Sequence, residues 1–171
     1  IIMAITSSYL FCEKNKIVQA LIKGGADVNA QDNEGYTALM WASYYPDVGI
    51  VELLLEKGAN PNAPDNKGNT ALLVVSENGY MKIADNLKIA RALIDKGADV
   101  NAQNNEGDTP LMGASKYGDV GIAKLLLEKG ADVDAQNNKG DKAHKYASEH
   151  GHTEIVELLR ERTQPTDDLR Q

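Results

Sequence analysis

The three histidines, His144, His150 and His152, all fall near the C-terminal end of the chain, and His150-Gly151-His152 offers two imidazoles two positions apart. Such a pair is metal-ligand chemistry only when further ligands join it, and no cysteine or carboxylate follows at a familiar zinc spacing. Asp27-Val28-Asn29, Asp99-Val100-Asn101 and Asp132-Val133-Asp134 alternate oxygen-bearing side chains. They lack the ligand order of a 12-residue calcium loop. The many carboxylates can do acid–base work only inside a pocket that separates their roles, and no glycine-rich phosphate loop ending in Lys-Ser/Thr is present. These residues therefore point to no catalysis, no metal and no cofactor. The chemistry left is recognition at a surface.

The elements that build this surface recur. Gly25-Ala26-Asp27, Gly58-Ala59-Asn60, Gly97-Ala98-Asp99 and Gly130-Ala131-Asp132 repeat, in step with Gly35, Gly68, Gly107 and Gly140. The steps are about 33, 39 and 33 residues, the period of a helix-pair array with one insertion. Leu39, Met40 and Ala42, then Ile50, Val51, Leu53, Leu54 and Leu55, form two apolar runs too short to be stable helices alone. They must pack together. Thr37, Thr70 and Thr109 stand where a hydroxyl accepts a backbone N–H at a helix start, and Pro110 follows where its missing donor costs nothing. Gly58, Gly97 and Gly130 come after Glu-Lys or Asp-Lys and end the second helix. The Asn, Asp and Gly-rich stretch that follows predicts a β-hairpin-like finger. The fold class is all-α, an elongated and curved α-solenoid whose stacked units share one core.

The reading divides the chain into a partial or capping unit at 1–31, units at 32–64, 65–103 and 104–136, a capping unit at 137–163 and a polar tail at 164–171. In the capping unit Lys142 replaces the threonine and His144 replaces Leu39, Leu72 and Leu111, which predicts a solvent-facing histidine. At the other end Ile2, Ile5 and Tyr9 have helical spacing, but Thr6, Ser7 and Ser8 depart from the repeat. The insertion lies near 81–86. Ile83, Leu87, Ala90 and Ile94 are spaced so that the second helix starts early, near Lys82. Deleting 81–86 is expected to spare folding and to change partner selectivity.

Asp32-Asn33-Glu34-Gly35-Tyr36-Thr37-Ala38-Leu39, Thr109-Pro110-Leu111, Ile50-Val51-Glu52-Leu53-Leu54-Leu55 and Gly130-Ala131-Asp132-Val133 resemble the ankyrin repeat family, and the resemblance runs over residues 4 to 160. Gly151-His152 coincides with that family's Gly-His turn, so the resemblance implies a structural role for the histidines. It also implies a protein-binding concave side made of finger tips and first-helix edges. Carried onto this chain, those positions are Asn33, Glu34, Tyr36, Tyr44 and Tyr45; Asn66, Lys67, Asn69, Glu77 and Asn78; Asn105, Glu106, Asp108, Lys116 and Tyr117; and Asn138, Lys139, Asp141, Glu149 and His150. Tyr80 and Met81, in the insertion, are expected to raise an edge on that groove. Tyr36, Tyr44, Tyr45 and Tyr117 are interface-type anchors, combining a large ring with a polar tip. Trp41 stands where the family packs a leucine between repeats, so it is expected in the core, its loss costing roughly 3 to 5 kcal/mol.

A net charge of −7 and a pI near 4.9 weigh against phosphate-backbone binding, and nucleic acid is not expected as the partner. No apolar stretch reaches about 18 residues, so no membrane span is expected. Ile1 to Phe11 lacks the basic start and cleavage site of a secretory signal, and Cys12 has no second cysteine to pair with. Cytoplasm is the default location and a monomer the expected state. The expectation is a non-enzymatic interaction module or scaffold for a protein partner. The alternative is a targeting or regulatory fragment of a larger enzyme or effector, since the first residue is Ile1. Val28-Asn29 and Val100-Asn101 are also similar to asparagine-hydroxylation targets in some ankyrin proteins.

Overall fold

The computed structural model describes residues 1–6, 14–79 and 83–163. Among them are ten helices: α1 Ile2–Thr6, α2 Lys14–Lys23, α3 Ala38–Tyr44, α4 Val48–Glu56, α5 Ala71–Ser76, α6 Ile83–Asp95, α7 Pro110–Tyr117, α8 Val120–Glu128, α9 Ala143–Glu149 and α10 Thr153–Thr163. The first helices pack in one row, α1 on α3, α3 on α5, α5 on α7 and α7 on α9; the second helices pack in another, from α2 on α4 through to α8 on α10. The two rows enclose one core running the length of the stack. Leu39, Ile50, Leu54, Leu72, Ile89, Leu111, Ile122 and Ile155 are all buried in it.

The helix starts follow from the threonines. Thr37, Thr70 and Thr109 accept the N–H of Met40, Leu73 and Met112 at 3.2, 3.4 and 3.3 Å. Lys142, at the same place in α9, makes no capping bond through its side chain and instead reaches Asp134 at 2.8 Å. His144 is exposed, as a capping substitution requires.

The described helices of the first unit stack on the next unit despite the poor match to the repeat. Ile5 and Val18 are buried, and α1 and α2 cover α3 and α4. Tyr9 lies outside the described residues, as do Tyr80, Met81 and the tail at 164–171.

The fingers close by backbone turn bonds, such as Asp32 N–H to the Tyr36 carbonyl at 3.0 Å, together with side chains, and not by extended strands. Among the described residues the β-pattern is a single bridge, Gln31 with Thr37. Asp32, Asp65, Asn104 and Asn137 each accept, through Oδ1, the N–H groups two and four residues later at 2.8–3.0 Å. An Asx side chain thus supplies the turn that a strand ladder would otherwise hold. Gly68, at φ 80°, shows why glycine closes this turn: a Cβ there would lie 2.7 Å from Asn105 Oδ1 of the next finger.

Asparagines also tie the units together. Asn66, Asn105 and Asn138 donate from Nδ2 to the carbonyls of Asn33, Asn66 and Asn105. Asn29, Asn62 and Asn101 donate to Gly58, Gly97 and Gly130 and accept from the N–H of Asn60, Asp99 and Asp132. Asn29 and Asn101, the hydroxylation-like positions, are therefore joints between units.

The insertion adds one turn at the front of α6, which has 13 residues against nine in α4 and α8. Asn86 sits three residues before Ile89, as Asp47 and Asp119 precede Ile50 and Ile122. Those aspartates cap α4 and α8. Asn86, inside the helix and fully buried, donates to the Asn78 carbonyl at 2.8 Å. A deletion of 81–86 would remove this bond, so that cut tests packing as well as selectivity.

Candidate protein-interaction surface

On the side of the stack made by finger tips and first helices, α3 gathers the aromatic residues. Trp41, Tyr44 and Tyr45 stand at i, i+3 and i+4, the spacing that puts side chains on one helix face. The Trp41 ring lies 5.0 Å from Tyr36, 6.2 Å from Tyr44 edge-on, and 6.0 Å from Tyr45 with planes 8° apart. Tyr44 and Tyr45 meet edge-to-face at 4.9 Å. Both are 44% exposed, so a linked aromatic patch faces solvent.

Trp41 packs against the core as expected but is only partly buried, which corrects the expectation of full burial. Its indole N–H donates to Asp32 Oδ2 at 3.0 Å and so pins the ring to the finger. Burial pulls the Asp32 carboxyl up, but this bond and those from the Tyr36 and Glu34 N–H groups hold it below the usual carboxylate value. Glu34, Tyr36 and Lys67 share with Asn33, Asp65 and Asn66 an open hollow of about 360 Å³ between two neighbouring fingers. Burial pushes the Tyr36 phenol up, and the negative charges of Asp65, Glu34 and Glu77 push the same way.

Over the next two units the surface becomes charged. Lys116 lies 5.4 Å over the ring of Tyr117. Burial raises the pKa of Glu77, and the Lys116 ammonium partly offsets that rise. A Cβ on Gly79 would come 2.5 Å from Tyr117 Cβ, so this glycine lets Tyr117 sit against the end of the preceding first helix. Asn69 and Asn78 are engaged inside the stack. Asn69 donates to Asp65 and accepts from Asn104, while Asn78 donates to the Tyr44 carbonyl at 2.7 Å.

The far end is a polar lattice. Asn137 Nδ2 donates to Asp108 at 2.7 Å and to the Tyr146 hydroxyl at 2.9 Å. Asp141 accepts from Lys145 at 2.7 Å, while Glu106 and Lys139 are exposed on the finger tips. Tyr146 occupies the column of Trp41, so an aromatic tethered to its own finger appears at both ends of the surface. Both tethers escape a residue-by-residue reading; the signal available was an aromatic in a column that holds Val74 and Gly113 in the middle units.

The His150 and His152 rings stack at 6.1 Å, yet their nitrogens face carbonyls: His150 Nδ1–H donates to Tyr146 at 2.9 Å and His152 Nε2–H to Lys116 at 3.1 Å. Among the described residues no group of three His, Cys, Asp or Glu side chains is arranged to hold a metal ion, and no helix is long and apolar enough to cross a membrane.

A family model described as ankyrin repeats in three copies matches residues 8–104 and again residues 80–168. The chain belongs to the ankyrin repeat family. A search of the curated proteins found no match. Ankyrin repeats are in general protein–protein interaction modules and typically not enzymes, and the helix rows and fingers described above are the parts such a module is made of. In this ankyrin repeat protein Tyr36, Tyr44 and Tyr45 are brought together around Trp41, and Glu34 and Lys67 share a hollow with Tyr36. Glu77, Lys116 and Tyr117 form a second group, and Lys139 and Asp141 lie at the far end.

Proposed function

We propose that this ankyrin repeat protein is a non-enzymatic binding module that docks a folded protein on its concave side, with the aromatic patch of α3 as the anchor. The observation that carries this reading is the exposed pair Tyr44 and Tyr45, backed by Trp41 and Tyr36. Large rings that are already packed against each other lose little freedom on docking, and aromatic anchors commonly dominate protein interfaces. The asparagine ladders hold the fingers in register, so the surface is presented ready-made. An acidic chain supports a protein partner over nucleic acid. Action as a monomer in the cytoplasm, without membrane attachment, belongs to the same proposal, and Tyr80 and Met81 remain its proposed edge.

Affinity capture with mass spectrometry tests it, comparing the wild-type chain with a Tyr36→Ala, Tyr45→Ala, Tyr117→Ala variant shown by circular dichroism to keep its helices. A partner lost only from the variant supports the concave site. A partner retained moves the site to the insertion or the convex side.

A further inference from the structure

Resting on that reading, we propose that the aromatic patch at the boundary of the units Asp32–Pro64 and Asp65–Gln103 receives an arginine side chain from an extended segment of the partner protein. Two units further along the stack, the chain's own residues show the chemistry. Lys116 and Tyr117 hold the positions of Tyr44 and Tyr45, and the Lys116 ammonium lies over the Tyr117 ring, close enough to Glu77 to act on its charge. Cation, ring and carboxylate are all present there. In the unit of Tyr45 the rings and carboxylates are present, but Tyr44 stands in place of the cation.

Several carboxylates elsewhere in the stack are already taken by lysines. Asp95, Asp134, Asp141 and Glu154 each pair with a lysine at 2.7–3.3 Å. Among the described residues Glu34 and Glu77, both close enough to Tyr36 to act on its charge, form no ion pair within 4 Å, although the Lys116 ammonium acts on Glu77 from further away. Lys67 shares the hollow with Glu34 and Tyr36 but forms no ion pair among the described residues. An aromatic surface with unpaired acids on its rim attracts a cation to the ring faces. Arginine fits better than lysine because its planar guanidinium can lie on a ring and fork toward a carboxylate at once. Phosphate-bearing ligands meet the wrong sign of charge.

The only tryptophan in the chain is Trp41, so its fluorescence reports this patch alone. The experiment titrates the full chain with the capped tripeptide Ac-Ala-Arg-Ala-NH2 and with its glutamine counterpart, at two salt concentrations. The arginine peptide is expected to give a saturable response about tenfold tighter than glutamine, weakened by salt and by Glu34→Gln with Glu77→Gln. The double variant, in which Glu34 is exposed and Glu77 is partly buried, is checked for unchanged helicity. Equal responses to arginine and glutamine would overturn the proposal, as would an arginine response that the double variant leaves intact. A homodimer that dissociates on Tyr44→Ala with Tyr45→Ala would also overturn it, since a second copy then covers the patch. The two readings fail separately. A partner lost from the triple tyrosine variant with no response to arginine removes the cation and keeps the concave site. A partner retained by that variant removes the site itself.

Discussion

In the unit at Asp32–Pro64 the aromatic on the first helix, Trp41, is flanked by Tyr36, Tyr44 and Tyr45, while in the terminal unit its counterpart Tyr146 is flanked by Asn137, Asp108 and ion-paired lysines. The two units share the same internal wiring. In each, the polar tip of the aromatic bonds the residue that opens the finger, Asp32 in one and Asn137 in the other. They differ in what surrounds that tether. One unit exposes rings, which lose ordered water on docking. The other exposes lysines and carboxylates paired with each other, which gain little from a partner. A repeat scaffold thus separates the residues that hold the finger from those that meet the outside.

The comparison breaks most severely at the tether. Trp41→Ala is expected to cost about 2 kcal/mol in urea unfolding, less than the 3–5 kcal/mol of a fully buried tryptophan, because the ring is half-exposed. Trp41→Phe keeps most of the packing and loses the bond to Asp32, for about 1 kcal/mol. A cost no larger for Ala than for Phe would mean that the ring carries no packing. The next effect is on binding. Tyr44→Ala with Tyr45→Ala should weaken a captured partner about 10- to 100-fold in calorimetry while moving stability by less than about 1 kcal/mol. The matching change at the polar end, Lys145→Ala, should leave partner affinity unchanged.

A smaller effect sharpens the contrast at the helix starts. Lys142→Thr restores to α9 the cap that α3, α5 and α7 carry and should stabilise the stack by about 0.5–1 kcal/mol, net of the exposed contact with Asp134. An unchanged unfolding midpoint would show that the terminal unit frays before its cap matters.

The smallest effect concerns the aspartates that cap α4 and α8. Asp119 is buried, its Oδ1 accepts the Ile122 N–H, and its Oδ2 has no hydrogen bond. Burial pushes its carboxyl up, against the lowering effect of the Ile122 and Gly121 N–H groups. The folded form therefore holds its proton to higher pH than the unfolded chain does. Its charge costs nothing below the ordinary carboxylate pKa. The cost grows as pH rises to the folded value and is constant above it. Asp119→Asn keeps the cap oxygen and should remove that slope from the stability profile above the ordinary carboxylate pKa. Parallel profiles for the two proteins would show that the buried carboxylate titrates as it does unfolded.

Much of this was legible in single residues because their roles are local. A threonine before an apolar run caps a helix wherever the run lies, and an early helical spacing at Ile83, Leu87 and Ala90 marks an added turn. His144 declared itself by standing in a leucine column. Trp41 did not, because a column that buries a leucine between repeats leaves a ring of that size half outside. Asn69 and Asn78 looked like surface residues for a similar reason: their partners, Asn104 and the Tyr44 carbonyl, lie about one repeat away. Tyr80 and Met81 fall outside the described residues.

The amino-acid sequence by itself determined the unit, its caps, its turns and the number of times it recurs, since each depends on neighbours a few positions apart. Only the tertiary structure decided which polar side chains are joints and which remain available. That choice depends on stacking one unit on the next, which turns Asn29, Asn62 and Asn101 inward to a neighbour's backbone and leaves Tyr44, Tyr45 and Glu34 exposed.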